Sequence, residues 1–317
     1  MNVPLLSVQD LIVNYGDVAA LRGVDLSANT GEVVGIVGES GCGKSTLAAA
    51  LIGLLPSGAD ARGAVSLEGR DILALSERDK RSVRGNEIAM IFQDPMTAFN
   101  PVLTIGEQLC DFQHRSTISH REKHNRAETM LARVGIADPA LSLRRYPHQL
   151  SGGMQQRAAV AAALLMAPKV LVADEPTTAL DVTMEAQILH LLRDLRTEVN
   201  GAIIVITHHL GVIGELCDRV YVMYAGQVVE DALVDDIYHN PHHPYTRALI
   251  GCDPAHLVQK TAHLPTIPGR PPDLSLRLEG CAFAPRCPLA DDLCRTQCPP
   301  RVQVSQHQSV LCHKANP

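Results

Sequence analysis

The sequence predicts an α/β protein whose core contains a phosphate-binding loop, joined by an antiparallel β subdomain, a helical insertion and a small Cys-rich C-terminal tail domain. Short apolar runs rich in β-branched residues, at 32–37, 87–92, 169–174 and 202–207, have the length of buried strands. Glycines or polar residues follow each run, as expected where the carboxyl ends of parallel strands form a ligand crevice. Helical patterns separate the strands, which favours a parallel sheet.

Composition describes an ordinary globular chain. Of its 317 residues, 46% are hydrophobic and 20% are charged, and the net charge is −6, so the basic footprint of a nucleic-acid-binding protein is absent. The N-terminus lacks a basic segment followed by an apolar one. The longest apolar run, 158–167, falls short of the ~20 residues of a membrane helix. We therefore expect a cytosolic protein, and any membrane path must come from other chains.

The segment from Gly38 to Thr46 fits the pattern G-x-x-x-x-G-K-[ST], between a predicted strand and a predicted helix. Its glycines allow successive N–H groups to face a phosphate, and the helix N-terminus adds a positive dipole end. Lys44 can reach the β- and γ-phosphates, and the Ser45 hydroxyl can ligate magnesium. The predicted nucleotide-binding residues here are Gly38, Ser40, Gly41, Cys42, Gly43, Lys44, Ser45 and Thr46.

Residues 5–27 alternate apolar and polar positions and predict two or three short strands, with a turn at Tyr15. An aromatic residue ahead of a phosphate loop can stack on an adenine ring. Taken alone, the position of Tyr15 favours an ordinary turn residue.

Three later strands deliver polar side chains at their ends. Gln93 can reach magnesium or the attacking water. Asp174 is placed to hold magnesium through water, and Glu175 to accept a proton from the attacking water or to orient it. His208 can contact the γ-phosphate and orient the water or the glutamate. Gln93, Glu175 and His208 are the predicted catalytic residues, and Ser45, Gln93 and Asp174 the predicted magnesium ligands.

The region 104–150 has helical patterns and predicts an insertion in the α/β core. It leads to Ser151, Gly152 and Gly153, which open a long helix and leave backbone donors free for an anion. A chain with one phosphate loop needs no second phosphate site of its own. The segment is therefore suited to a nucleotide held by a partner.

These motifs, in this order, resemble those of the ATP-binding subunits of ABC transporters over residues 5–250. Gln93 corresponds to the Q-loop, 150–155 to the signature motif, 179–181 to the D-loop and His208 to the switch histidine, while Tyr15 occupies the place of the adenine-stacking aromatic. The resemblance implies ATP and Mg²⁺ as ligands. It also implies a head-to-tail dimer in which Ser151, Gly152 and Gly153 act at the partner's nucleotide, and it makes Asp181 of the D-loop a further nucleotide-binding residue.

The segments 93–101, 146–153 and 240–249 resemble the branch that imports oligopeptides, dipeptides or nickel. This resemblance implies a second ATPase subunit, which in this branch is often a different chain, two transmembrane permease subunits and an extracytoplasmic substrate-binding protein. It places the chain on the cytoplasmic face of the inner membrane. Import of nickel or a metallophore is the alternative, and a non-transport ABC ATPase of DNA repair or translation is a further one.

The sequence departs from the family pattern after the switch histidine, where aspartate is usual and His209 stands here. The switch histidine is retained, so ATPase activity is still expected. The second imidazole would alter the pH dependence of the site.

We predict an ATPase domain over 1–252, with a helical subdomain at about 95–165, and a Pro-rich connector with a Cys-rich tail over 253–317. Five of the nine cysteines fall in the tail, which in a reducing compartment suggests a metal site. Peptide-permease ATPases have a similar tail. In that group, four cysteines corresponding to Cys281, Cys287, Cys294 and Cys312 are associated with a 4Fe–4S cluster. Cys298 is additional, and tetrahedral zinc or free thiols are the alternatives.

Overall fold

The computed structural model describes residues 3–94, 98–177, 182–195, 201–253 and 265–315, with the side chains of 182–184 and 195 left out. The strands are β1 Leu6–Tyr15, β2 Val18–Ala28, β3 Val33–Val37, β4 Ala59–Leu67, β5 Arg70–Asp71, β6 Ile88–Ile91, β7 Val170–Asp174, β8 Ala202–Thr207, β9 Arg219–Tyr224, β10 Gln227–Leu233, β11 Arg301–Ser305 and β12 Gln308–Leu311. The helices are α1 Lys44–Leu51, α2 Glu77–Val83, α3 Ile105–Phe112, α4 His120–Arg133, α5 Pro139–Leu143, α6 Gly152–Leu165, α7 Val182–Leu195, α8 Leu210–Leu216, α9 Val234–His239, α10 Pro244–Gly251 and α11 Asp292–Thr296.

The chain divides into two compact units. Unit 1 comprises Met1–Ala74 and Ile206–Pro317, and unit 2 comprises Leu75–Val205. The elements confirm the predicted α/β class, because strands and helices alternate through the core of the sequence.

Unit 1 contains an antiparallel sheet with strand order β2–β1–β4–β5. A second run of strands in this unit has the order β11–β12–β10–β9–β3, and β3 is parallel to β9. All five residues of β3 are buried, as expected of a parallel strand covered on both faces. The antiparallel hairpin of β9 and β10 turns at Ala225 and Gly226, which both have positive φ (49° and 77°), as a tight hairpin turn requires.

The N-terminal region forms two long strands rather than three short ones. The alternation of side chains breaks near Asp10, where the register of β1 shifts and the residue has a φ of 42°. This is a β-bulge, which bends a strand without ending it. Gly63 on β4 faces the bulge, and a Cβ there would collide with the carbonyl oxygen of Asp10.

Unit 2 contains the parallel pair β6 and β7, whose register aligns Ile91 with Ala173. This unit also contains helices α3 to α6, in and directly after the region 104–150 where the sequence shows helical patterns. Capping boxes at Thr104 and Ser119 fix the starts of α3 and α4. The Ala-rich helix α6 packs closely against the strands of its unit, because 158–163 are buried and α6 contacts β6.

The C-terminal residues 265–315 belong to unit 1. There β12 pairs antiparallel with β10, and β11 pairs with β12 at the edge of the strand run. Phe283 is 2% exposed and lies in one hydrophobic cluster with Tyr224 and Tyr245. In the part of the chain that the structure describes, none of the helices has the length and apolar character needed to cross a membrane.

The helical part of unit 2 depends on apolar packing that one substitution can test. Leu131 in α4 is fully buried, whereas Leu141 in α5 is 45% exposed. We expect Leu131→Ala to lower the free energy of unfolding by about 2–5 kcal/mol. Leu141→Ala should change it by less than about 0.5 kcal/mol. Denaturant titration followed by far-UV circular dichroism measures both, and equal losses would contradict the described packing.

Candidate functional site

The phosphate loop follows β3 and leads into α1, as the motif requires. Gly38 lies so close to β9 that a Cβ would collide with the carbonyl oxygen of Met223. Gly43 has a φ of 103°, and a Cβ there would lie 2.6 Å from the Ala20 carbonyl oxygen. Only glycine allows the close approach at Gly38 and the positive φ at Gly43 without displacing a neighbouring strand.

Lys44 is 7% exposed, and its ammonium group donates to loop carbonyls. Its Nζ lies 2.7 Å from the Gly38 oxygen and 3.0 Å from the Glu39 oxygen. The lysine therefore lies across the loop that it would use to hold phosphates. These carbonyls keep the charged group hydrogen-bonded despite its burial.

The remaining predicted residues of the loop differ in exposure. Ser40, Gly41 and Ser45 are exposed, and Thr46 is half-buried. Cys42 is 4% exposed, and its burial raises the pKa of the thiol while the nearby Lys44 charge opposes that shift. The exposed hydroxyl of Ser45 is accessible to a metal ion, whereas Cys42 contributes packing and backbone rather than a reactive thiolate.

Tyr15 is the last residue of β1 and is half-buried. Its backbone pairs with Val18 on β2 and Ala59 on β4. It therefore ends a strand in the antiparallel sheet of unit 1.

His208 directly follows β8 and is exposed. Its ring centroid lies 4.1 Å from that of His209, at an interplanar angle of 40°. The backbone N–H of His209 donates to the Thr207 hydroxyl at 3.0 Å, and His209 precedes α8 as its N-cap residue. The departure from the family pattern thus places two imidazoles side by side at the end of this strand.

In unit 2, the segments that follow β6 and β7 bring two of the three predicted catalytic side chains together, Gln93 and Glu175. Gln93 Nε2 donates to Glu175 Oε2 at 2.8 Å. Asp174 is the last residue of β7 and is 6% exposed, whereas Glu175 is half-buried. Glu175 has a φ of 47°, a left-handed conformation that is uncommon outside glycine. This turn aims the carboxylate toward Gln93 instead of along the strand.

Ser151 is the N-cap of α6, and its hydroxyl accepts from the Met154 N–H at 3.3 Å. Ser151 and Gly152 are exposed and Gly153 is half-buried. A Cβ on Gly152 would meet nothing within 4 Å. The start of this 14-residue helix is therefore open to a ligand or partner. Asp181, which the sequence also predicts to bind nucleotide, lies outside the described residues.

Sequence reasoning missed the contacts of two buried glutamines, one at the end of the signature segment and one directly after it. Gln155 Nε2 donates to the carbonyl oxygens of Pro147 (2.8 Å) and Leu150 (3.2 Å), which ties α6 to the segment before it. Gln156 Nε2 donates to the Pro176 oxygen at 2.8 Å and so connects α6 to the residue after Glu175. The signal in the sequence was a pair of glutamines at the start of an Ala-rich helix, because a buried amide needs hydrogen-bond partners.

The four predicted cysteine ligands line one small cavity in unit 1, with His243 and His313 also at its wall. All four are free thiols. Burial raises the pKa of Cys281, Cys287 and Cys312, and neighbouring cysteines add to each shift. Within the described ranges, no group of three or more His, Cys, Asp or Glu side chains has an arrangement that could hold a metal ion. The donor types fit a thiolate-bound cluster, but the site is not preassembled.

Comparison with known proteins covers both parts of the chain. Residues 21–178 match the ABC transporter family, and residues 229–294 match the oligopeptide/dipeptide transporter C-terminal region. A probable peptide ABC transporter ATP-binding protein of Sinorhizobium fredii is 48% identical over 98% of this chain and 95% of its own length. The dipeptide transport ATP-binding protein DppD of Bacillus subtilis is 45% identical over 97% and 94%.

Solved structures agree in fold. CbiO1 of Clostridium perfringens, part of the ABC transporter complex CbiONQ, matches with a TM-score of 0.65 and 30% identity, over 75% of this chain and 92% of that chain. A dimeric ATP-binding cassette in a post-hydrolysis state with ADP and phosphate matches with a TM-score of 0.65 and 29% identity, over 72% and 98%. This chain therefore belongs to the ABC transporter family, as one of its ATP-binding, ATP-hydrolysing proteins.

Proposed function

We propose that this chain is the ATP-hydrolysing subunit that powers import of dipeptides or oligopeptides through an ABC transporter. The observation that carries the proposal is the Gln93–Glu175 hydrogen bond at the ends of two parallel strands, in a chain with a complete phosphate loop. The peptide substrate class is supported by the names of the full-length relatives and by the match of 229–294. That match favours peptides over nickel or a metallophore.

The phosphate loop would bind the nucleotide. The backbone N–H groups of the loop would surround the phosphates, and Lys44 would exchange its carbonyl partners for phosphate oxygens. Ser45 and Asp174 would hold Mg²⁺ with Gln93, the aspartate through water. When bound, this ion neutralises charge on the phosphates. Tyr15 would stack on the adenine.

Hydrolysis requires a base that orients the attacking water, and Glu175 fits this role. Its carboxylate accepts a hydrogen bond from Gln93, and an ionised carboxylate can accept several hydrogen bonds, including one from water. His208 would contact the γ-phosphate. The adjacent His209 places a second imidazole beside this contact.

A second ATPase subunit would complete the site. The open helix start at Ser151, Gly152 and Gly153 would contact the partner's nucleotide, and Asp181 would lie at the same interface. The dimer of the structurally similar cassette supports this arrangement. Closure of the dimer on ATP and its opening after hydrolysis would then drive alternating access in the two membrane subunits.

The partners in this proposal are a second ATPase chain, two transmembrane permease subunits and an extracytoplasmic substrate-binding protein. The chain would sit at the cytoplasmic face of the inner membrane, bound to the permeases. The relatives' description as transport ATP-binding proteins supports this peripheral position.

The ATPase domain would extend over 1–252, with its helical subdomain at about 95–165, and the connector and Cys-rich tail over 253–317. Within the tail, Cys281, Cys287, Cys294 and Cys312 would hold a 4Fe–4S cluster. Their common cavity supports this assignment. A bound cluster would lower the pKa of the buried thiols and order the tail, without redox chemistry on the peptide.

Replacement of Glu175 by glutamine tests the catalytic assignment. The amide keeps the shape of the side chain but cannot take a proton, so turnover should fall by about 10²–10⁴-fold while ATP still binds. Steady-state phosphate release and equilibrium ATP titration measure the two properties. Glu128→Gln, on α4 of the same unit, is the control and should keep wild-type turnover. Hydrolysis by Glu175→Gln at the wild-type rate would refute the assignment.

Uptake in a strain lacking this chain tests the substrate class. We expect the wild-type chain to restore uptake of a labelled tripeptide and Glu175→Gln to leave it absent, because transport needs hydrolysis. Nickel uptake should not respond to either chain. If nickel uptake follows the activity of the chain and peptide uptake does not, the metallophore alternative is correct.

Metal analysis of protein purified without oxygen tests the tail. We expect about four iron atoms per chain and a broad visible absorption band. Both should disappear in Cys287→Ser and persist in Cys298→Ser, because Cys298 lies outside the predicted ligand set. Zinc in place of iron would support the tetrahedral alternative. Absence of any metal would contradict the metal-binding proposal.

A further inference from the structure

The phosphate loop contains an acidic residue that the nucleotide-binding chemistry does not require. Glu39 directly follows Gly38, and its carboxylate is 26% exposed. A negative charge in an anion-binding loop opposes the binding of a triphosphate unless a cation neutralises it. The structure provides that cation from the C-terminal region of the same unit.

Arg286 forms a two-pronged ion pair with Glu39. Its Nη1 donates to Oε2 at 2.7 Å, and its Nη2 donates to Oε1 at 3.0 Å. Two parallel hydrogen bonds of this kind fix the orientation of the carboxylate and also compensate its charge. A lysine ammonium would compensate only the charge. The two residues are 247 positions apart in the sequence.

The guanidinium is enclosed, with a side chain that is only 3% exposed. Its other bonds go to the Tyr224 hydroxyl (3.3 Å) and to the carbonyl oxygens of Ile267 (3.2 Å) and Pro268 (2.9 Å). The guanidinium thus makes five hydrogen bonds, as many as its N–H groups can donate. Such a group cannot turn away from Glu39 without losing several bonds at once.

The backbone of Glu39 is held as well. Its N–H donates to the hydroxyl of Tyr245 at 2.9 Å, and Tyr245 is fully buried. Its carbonyl oxygen accepts from Lys44 Nζ at 3.0 Å. One loop residue thus connects the C-terminal region to the lysine that would bind the phosphates.

We propose that Arg286 is a positioning residue for nucleotide binding, which neutralises Glu39 and holds the phosphate loop in its binding conformation. The Cys-rich tail thereby supports ATP affinity, since Arg286 directly precedes Cys287. The inference rests on the proposed role of the phosphate loop. A wild-type chain that bound no ATP would refute that role, whereas the variants below test Arg286 alone.

The test is the dissociation constant of ATP, measured by equilibrium titration. Arg286→Gln leaves the Glu39 carboxylate without its cation, and we expect the constant to rise at least about tenfold. Glu39→Gln added to that variant removes the uncompensated charge and should restore the constant to within about threefold of wild type. Arg286→Lys keeps the charge without the fork and should fall between wild type and Arg286→Gln.

Two readouts separate this role from a general loss of stability. The defect of Arg286→Gln should shrink as salt is raised, because salt screens the partly exposed carboxylate. Arg301→Gln is the matched control, since Arg301 is another tail arginine and pairs with Asp231 at 2.9 Å. It should bind ATP as wild type does.

An unchanged constant in Arg286→Gln, a double variant no better than the single one, or an equal loss in Arg301→Gln would overturn the proposal. If Arg286→Gln does not fold, hydrogen–deuterium exchange of the wild-type protein decides the question. Because coupling is reciprocal, ATP should slow amide exchange in the peptide 281–287. Exchange that ATP leaves unchanged would overturn the proposal.

Discussion

The arrangement of unit 1 depends on a backbone constraint, which is that the phosphate loop must stay curled between β3 and α1. Gly38 permits the close approach to β9, and Gly43 supplies a positive φ before α1. Contacts from distant parts of the chain then hold the loop, through Tyr245 on the backbone of Glu39 and Arg286 on its side chain. The loop is therefore formed by its own sequence but held by α10 and the C-terminal region.

Unit 2 positions the carboxylate of Glu175, which would activate water in the proposed mechanism. The parallel pairing of β6 with β7 aligns the strand ends, and the left-handed turn at Glu175 directs its side chain to Gln93. Gln156 connects the same segment to α6, whose open N-terminus would face a partner's nucleotide. Through Gln156, helix α6 and the segment that contains Glu175 are thus connected within one unit.

Much of this was predictable because buried parallel strands are continuous apolar runs with polar residues at their ends. Strands β3, β6, β7 and β8 were found in this way, and so were the residues that follow them. The bulge at Asp10, the pairing of β12 with β10, and the bonds of Gln156 and Arg286 were not predicted. Each of these depends on which segments meet in space, and local periodicity carries no such information.

We infer that ATP binds at the phosphate loop of this chain and that Lys44 holds the phosphates. Calorimetric titration of Lys44→Ala with Mg-ATP, compared with the wild-type protein, measures this role. The dissociation constant should rise at least about tenfold, because the only side-chain cation of the loop is removed. A constant equal to that of the wild-type chain would contradict it.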